Sequence, residues 1–301
     1  MQGLLKFLIR SRFHAAGSAA LGLLVPPFGF VAAGIVGLVT LRYGVADGAL
    51  ILAASLAVSS GVMLVALQSA DAALIFALTM GLPVYLLAAV LRYTASQGMT
   101  LAAAGALGGS AIAGLHLLSS DPVGWWRWAL TKVLVERMHR GGTPPDPAAT
   151  APLQEVIDKL APLMTGAPIG IAIGAMMLLF LARWGHSVLD NPGGFGKEFR
   201  ALALDRRVAY AGIALAAGAM LFGDLAQGML PELFNLVIAL YVVQGAAIVH
   251  SLVKQRQAST GWLAAMYLLL LLAPPLAMIV LSVTGLSDTW LDYRGRAGAR
   301  V

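Results

Sequence analysis

Residues 46–67, ADGALILAASLAVSSGVMLVAL, hold a single ionised group, Asp47, and no polar face. A hydrocarbon core of about 30 Å takes about 20 apolar residues per helix. A helix apolar on every side is surrounded by lipid or by other helices. Working outward, comparable runs recur at Leu74–Leu91, Met99–Leu118, Met164–Leu181, Val208–Gly223, Leu233–Leu252 and Trp262–Gly285. Hydrophobic residues make up 59% of the chain and charged residues 11%, against about 25% charged in soluble domains. This composition predicts an all-α, polytopic helical membrane bundle of about eight or nine transmembrane helices, with interfacial amphipathic helices.

Composition also closes several routes. The chain has no cysteine, so disulfides, thiolate nucleophiles and cysteine metal sites are excluded. Its five histidines have neither HxxxH nor HExxH spacing, which argues against a zinc site. No cofactor is expected. The net charge of +6 would suggest nucleic acid in a soluble protein, but here the basic residues sit at the ends of apolar runs. Retention on the cytoplasmic side explains them without nucleic acid. Lys6, Arg10 and Arg12 precede the first run with no small-residue cleavage site after it, so the start reads as a retained helix with a cytoplasmic N-terminus.

Pro26–Pro27 interrupts that first run. Proline lacks an N–H and clashes with the preceding turn, leaving one kinked span or two helices, roughly Leu4–Val25 and Phe28–Leu41. Two helices place Lys6, Arg10, Arg12, Arg42, Arg92, Arg183, Lys197, Arg200, Arg206, Arg207, Lys254 and Arg256 on one side, which is the better fit to the positive-inside rule. Pro274–Pro275 poses the same question inside Trp262–Gly285. By length, one broken span is expected there; a hairpin would return Arg294, Arg296 and Arg300 to the cytoplasm.

Ser119–Leu163 is the long non-spanning segment. Trp125, Trp126 and Trp128 suit a headgroup layer, and two amphipathic stretches, Trp125–His139 and Pro152–Leu163, flank the break GGTPPDPAAT at 141–150. Its charges balance, as suits an outer loop. The chain therefore reads as a single membrane domain, 1–301, with an N-terminal helix group (4–118), this interfacial segment (119–163), a C-terminal helix group (164–285) and a tail (286–301).

Three constellations stand out. Gly166, Gly170 and Gly174 share one helix face and predict a close-packing seam of the small-xxx-small kind; Gly105 and Gly109 repeat it more weakly. The loop Asn191-Pro192-Gly193-Gly194-Phe195-Gly196-Lys197-Glu198-Phe199-Arg200 starts with a turn signal. Its backbone amides, near Lys197 and Arg200, could form an anion nest. It is no P-loop, because Glu198 stands where Ser or Thr is required; the plainer reading is a charged cytoplasmic turn. Finally, Glu232, Asn235, Tyr241, Gln244 and His250 lie along one helix, just after Asp224 and Gln227. Polar groups inside a bilayer are costly, so Asp224, Gln227, Glu232, Asn235, Gln244 and His250 form either a polar-ligand or cation site or a set of interhelical hydrogen bonds.

The strings NPGGFGKEFR (191–200), QGAAIVH (244–250) and DTWLDYR (288–294), with LVTLRYG (38–44), resemble the YybS-like family of bacterial membrane proteins, which carries a domain of unknown function. The likeness covers essentially the whole chain. It implies a multi-pass bacterial inner-membrane protein, remotely grouped with the substrate-binding subunits of energy-coupling-factor vitamin transporters. No binding or catalytic residues come with it. Two functions are therefore expected as alternatives: a small-molecule transporter or its substrate-binding subunit, or a non-transporting scaffold of the cell envelope. An enzyme is not expected. The partners are the lipid bilayer, with an energising transporter subunit or envelope proteins, and a homo-oligomer is compatible with the pattern.

Overall fold

A computed structural model describes residues 2–25, 28–138, 147–222 and 228–298. Among the described residues all regular structure is helical: α1 (Gln2–Leu8), α2 (Arg12–Leu24), α3 (Gly29–Tyr43), α4 (Val45–Leu67), α5 (Asp71–Phe76), α6 (Leu82–Thr94), α7 (Gln97–Leu118), α8 (Pro122–Met138), α9 (Pro147–Met164), α10 (Ala167–Asp190), α11 (Gly194–Arg200), α12 (Arg206–Phe222), α13 (Met229–Gln255), α14 (Gly261–Leu272), α15 (Pro274–Leu291) and α16 (Tyr293–Gly298). Helices α5 and α6 are joined without a break by a π turn, Ala77–Gly81. Pro83 has no N–H to offer the preceding turn, and the wider turn absorbs that misfit.

Among the described residues, five helices are long and apolar enough to cross a bilayer: Val45–Ala66, Asp71–Thr94, Gln97–Leu118, Ala167–Asp190 and Met229–Gln255. The expected eight or nine spans also counted Phe28–Leu41 and a single span Trp262–Gly285, where the structure has the shorter apolar helices Gly29–Tyr43 and Gly261–Leu272. The first apolar run also differs from expectation. Leu4–Val25 is not one helix: the chain breaks after Leu8, and Ser11 restarts it as an N-cap, accepting a hydrogen bond from the His14 amide at 3.2 Å. A serine at this position satisfies one of the amides a helix start leaves unpaired.

Helices α2 and α3 pack on each other, as do α14 and α15, and each pair forms a hairpin. For α2 and α3 this agrees with the two-helix reading. The Tyr43 hydroxyl donates to the Ile9 carbonyl at 3.3 Å, so the far ends of the pair meet. Near the tip, a Cβ on Gly22 would touch the Phe28 carbonyl at 3.1 Å. Pro26 and Pro27 themselves lie outside the described residues. For Pro274–Pro275 the hairpin corrects the single broken span. Tyr267 on α14 meets His250 on α13, with ring centroids 5.8 Å apart. Asp292 and Arg294, just past α15, lie beside Ser251 and Gln255. Both ends of the α14–α15 unit thus return to the C-terminal end of α13, and α15 packs along α13. There Gly245 and Gly285 let the backbones touch. A Cβ on Gly245 would overlap the Leu281 carbonyl, and one on Gly285 would overlap the Tyr241 carbonyl.

The core lies where α3 meets α2, α4, α6 and α10. On α3, Ala32, Ala33, Val36 and Ile35 are buried, and Gly37 approaches Val84 and Ala182. Helices α8 and α9 pack mainly on each other as an arm; Arg127 and Asp158 join them at 2.8 Å. The connectivity gathers Arg42, Arg92, Arg183, Lys197, Arg200, Arg256 and Arg294 at one end of the bundle, here termed the basic end. The arm follows α7 at the opposite end.

The polar cap at the basic end

Four strings far apart in sequence interlock at the basic end. LVTLRYG closes α3, and its Arg42 guanidinium pairs with Asp190 at 3.0 Å, while the Leu41 carbonyl accepts from Arg92 at 2.5 Å. NPGGFGKEFR forms α11. Its Phe195 and Phe199, one helical turn apart, pack against Phe180 of α10 with centroids at 5.7 and 5.4 Å. Glu198 receives both a bidentate grip from Arg183 and an amide N–H from Gln97 at 3.3 Å. A fork–fork pair of this kind fixes orientation as well as charge.

The other two strings close the cap from the far side. From QGAAIVH, Gln244 is 1% exposed. Its Oε1 accepts the Leu204 amide at 2.7 Å and its Nε2 donates to the Gly285 carbonyl at 2.8 Å. From DTWLDYR, Asp288 accepts from the Tyr293 amide and from Arg294, both at 2.8 Å. Arg294 also donates to the carbonyls of Arg200 and Leu202 at 3.1 and 2.8 Å. The extended segment 201–205 is thereby tied to both α13 and the tail. Gly98 completes the fit, because a Cβ there would overlap the Ala203 carbonyl.

Sequence reading left this arrangement mostly unseen. In sequence the loop 191–200 reads as a charged turn, with a backbone anion nest as the alternative. It is a packed helix, and the amides of Gly194, Phe195 and Lys197 are engaged with Asn191 O, Ser187 Oγ and Gly193 O. Gly193, at φ +84°, supplies the left-handed turn. The available signal was the Phe195/Phe199 pair at helical spacing with Glu198 between them, the mark of a helix with one apolar face.

The expected polar site on α13 is dispersed. Glu232 pairs with His116 of α7 at 3.1 Å, at the end opposite the cap. His250 lies near the cap, its Nδ1 2.9 Å from the Ala246 carbonyl and its ring against Phe199. Those two positions are about 27 Å apart at about 1.5 Å per residue. Asn235 is exposed, and Gln244 has both ends of its amide satisfied by backbone. Asp224 and Gln227 lie outside the described residues. The structure therefore does not bring the four described residues together. The glycine seam is corrected too. Nothing lies within 4 Å of a Cβ built on Gly170 or Gly174, and Gly166 meets only the Leu163 carbonyl of its own chain segment. Close approach occurs instead at Gly105 and Gly108 of α7, against Leu240 and Ala172.

Between α11, α13 and the tail the cap opens into a crevice of about 470 Å³, lined by Lys197, Arg200, Ala201, Ser251, Gln255, Asp292 and Arg294. No family model matches this chain, and no curated protein or solved structure matches it.

Proposed function

We propose that this chain is the membrane subunit of a small-molecule transporter of the bacterial inner membrane, with the basic end in the cytoplasm. The observation that carries this reading is a pair of helical hairpins, α2–α3 and α14–α15, one near each end of the chain, each with a double proline in the sequence between or at the start of its helices. Short, proline-interrupted apolar segments in the two halves of a chain are the usual location of transporter binding sites. Non-helical backbone at membrane depth needs protein or a water-filled cavity around it. At the α2–α3 end one side is covered by protein, where Gly29 faces Phe76 and Met80 beside the π turn, while Val25 and Phe28 are exposed. Helix α14, at 12 residues, is about 18 Å long and too short to cross alone. The basic residues gathered at one end support the orientation. The YybS-like resemblance is in keeping with a substrate-binding subunit that works with a separate energising protein.

The test uses proteoliposomes containing the full chain, with or without any ATPase that copurifies, incubated in a bacterial metabolite extract. Mass spectrometry of the lumen should show protein-dependent enrichment of at least one solute. Cross-linking Gly29→Cys to Met80→Cys, which pins the tip, should abolish that enrichment. No enrichment under either condition would overturn the transport reading. A second reading, an envelope scaffold, is favoured by the α8–α9 arm, which packs mainly on itself and offers Val156, Leu160 and Leu163 to its surroundings. Stable retention of envelope-synthesis proteins by the arm would favour it.

A further inference from the structure

We propose that the crevice between α11, α13 and the tail binds a phosphate-bearing anion through Lys197, Arg200, Ser251 and Gln255. The inference is independent of transport and rests on which charges at the basic end are left over. Among the described residues, every other half-buried arginine has a carboxylate partner: Arg42 with Asp190, Arg183 with Glu198, Arg294 with Asp288. Arg200 is half-buried and has none. Lys197, one turn before it and on the same crevice wall, is also unpaired.

The opposite wall supplies hydrogen-bond donors. Ser251 is 5% exposed, lines the crevice, and its hydroxyl makes no hydrogen bond within the described protein; Gln255 follows it one turn later. Its oxygen reaches the crevice and is free to donate to a group bound there. Of the other charged lining groups, Asp292 keeps its carboxylate charge and Arg294 is neutralised by Asp288. Asp292 accepts the Gly295 amide at 3.0 Å, and Arg294 is held by Asp288 and two carbonyls. Lys197 and Arg200, set against the one carboxylate of Asp292, leave the crevice net positive, and with a hydroxyl and an amide donor they suit a many-acceptor phosphate. The crevice stands at the ends of α13 and α15, the depth at which phosphate headgroups lie, and basic pockets between helix ends on the cytoplasmic side are suited to them. The phosphate belongs to a lipid headgroup or to a soluble phosphate compound.

Native mass spectrometry of the full chain, released from nanodiscs of mixed phosphatidylglycerol and phosphatidylcholine, separates these sources. The wild type should retain one phosphatidylglycerol per chain, and Lys197→Gln/Arg200→Gln should lower that occupancy about tenfold. If the source is soluble, no lipid is retained, and inorganic phosphate raises the melting temperature of the wild type but not of the double variant. The control, Lys254→Gln/Arg256→Gln, removes the same charge from the same end outside the crevice and should leave binding unchanged. Equal losses in both double variants would mean diffuse surface attraction and would overturn the site. So would a wild type that retains neither anionic lipid nor phosphate.

Discussion

The two double-proline hairpins look alike in sequence and sit in different surroundings. In α2–α3 both helices bury one face, with Ala19, Ala20, Ala32, Ala33 and Val36 inside, and the chain crosses itself closely at Gly22. In α14–α15 only α15 buries a continuous face, through Ala277, Leu281, Ser282, Gly285 and Asp288. Helix α14 buries Met266 alone, while Leu271 and Leu272 are 75% and 78% exposed. Hydropathy does not separate the two, since lipid tails are as apolar as leucine. Residue size does. GFVAAGIVGLVT on α3 is rich in glycine and alanine, which let backbones approach, whereas GWLAAMYLLLLL on α14 is rich in leucine, which covers a lipid-facing surface.

The largest expected effect concerns whether the second hairpin is one at all. Single cysteines enter this cysteine-free chain without interference. Ser259→Cys and Arg296→Cys should both react with an impermeant maleimide from the same side of oriented membranes. Reaction of one from each side would restore the single broken span and end the comparison. The next effect is packing at the α13–α15 contact. Gly285→Val places two methyl groups and a Cβ against the Tyr241 carbonyl, an overpacking expected to cost about 3 kcal/mol. A melting temperature in nanodiscs close to that of the wild type would mean that α13 and α15 are not in backbone contact.

A third prediction separates the expected seam from the observed one. Ala172 is 3% exposed and stands opposite Gly108, whereas Gly170 is open. Ala172→Leu should destabilise by about 1–3 kcal/mol, and Gly170→Leu by less than about 0.5 kcal/mol. The reverse order would put a partner on the glycine face.

That reversal shows what the sequence holds and what it withholds. Spans and the clustering of basic residues were readable, because apolar length and helix-end charge are local properties. The glycine face was misassigned because periodicity tells which residues share a face, not which face meets a neighbour. Gly170 and Ala172 are only two residues apart, and nothing local distinguishes the outward one. The fold-back at Pro274–Pro275 was missed for a related reason. A proline ends a helix in either geometry, and the direction taken afterwards is set by Gly245 and Gly285, distant from it. The polar set on α13 was grouped by sharing a helix, yet Glu232 and His250 occupy opposite ends. The cap was legible only as fragments, since Glu198 finds Arg183 and Gln97 through tertiary structure.

The smallest expected effect is also the one that most sharpens the contrast between the hairpins. Val36→Ala deletes two methyl groups from a fully enclosed site and should cost about 1–2 kcal/mol, a transfer loss plus a small cavity. Leu271→Ala deletes more atoms, yet its side chain faces outward. In a bilayer the lost contacts are with lipid in both the folded and the helix-separated state, so the cost should stay within about 0.5 kcal/mol. Melting both variants in nanodiscs at equal lipid composition measures the difference directly. A Leu271→Ala loss as large as that of Val36→Ala would mean that protein, not lipid, covers α14 in the membrane, and the exposed hairpin would then be one side of an interface.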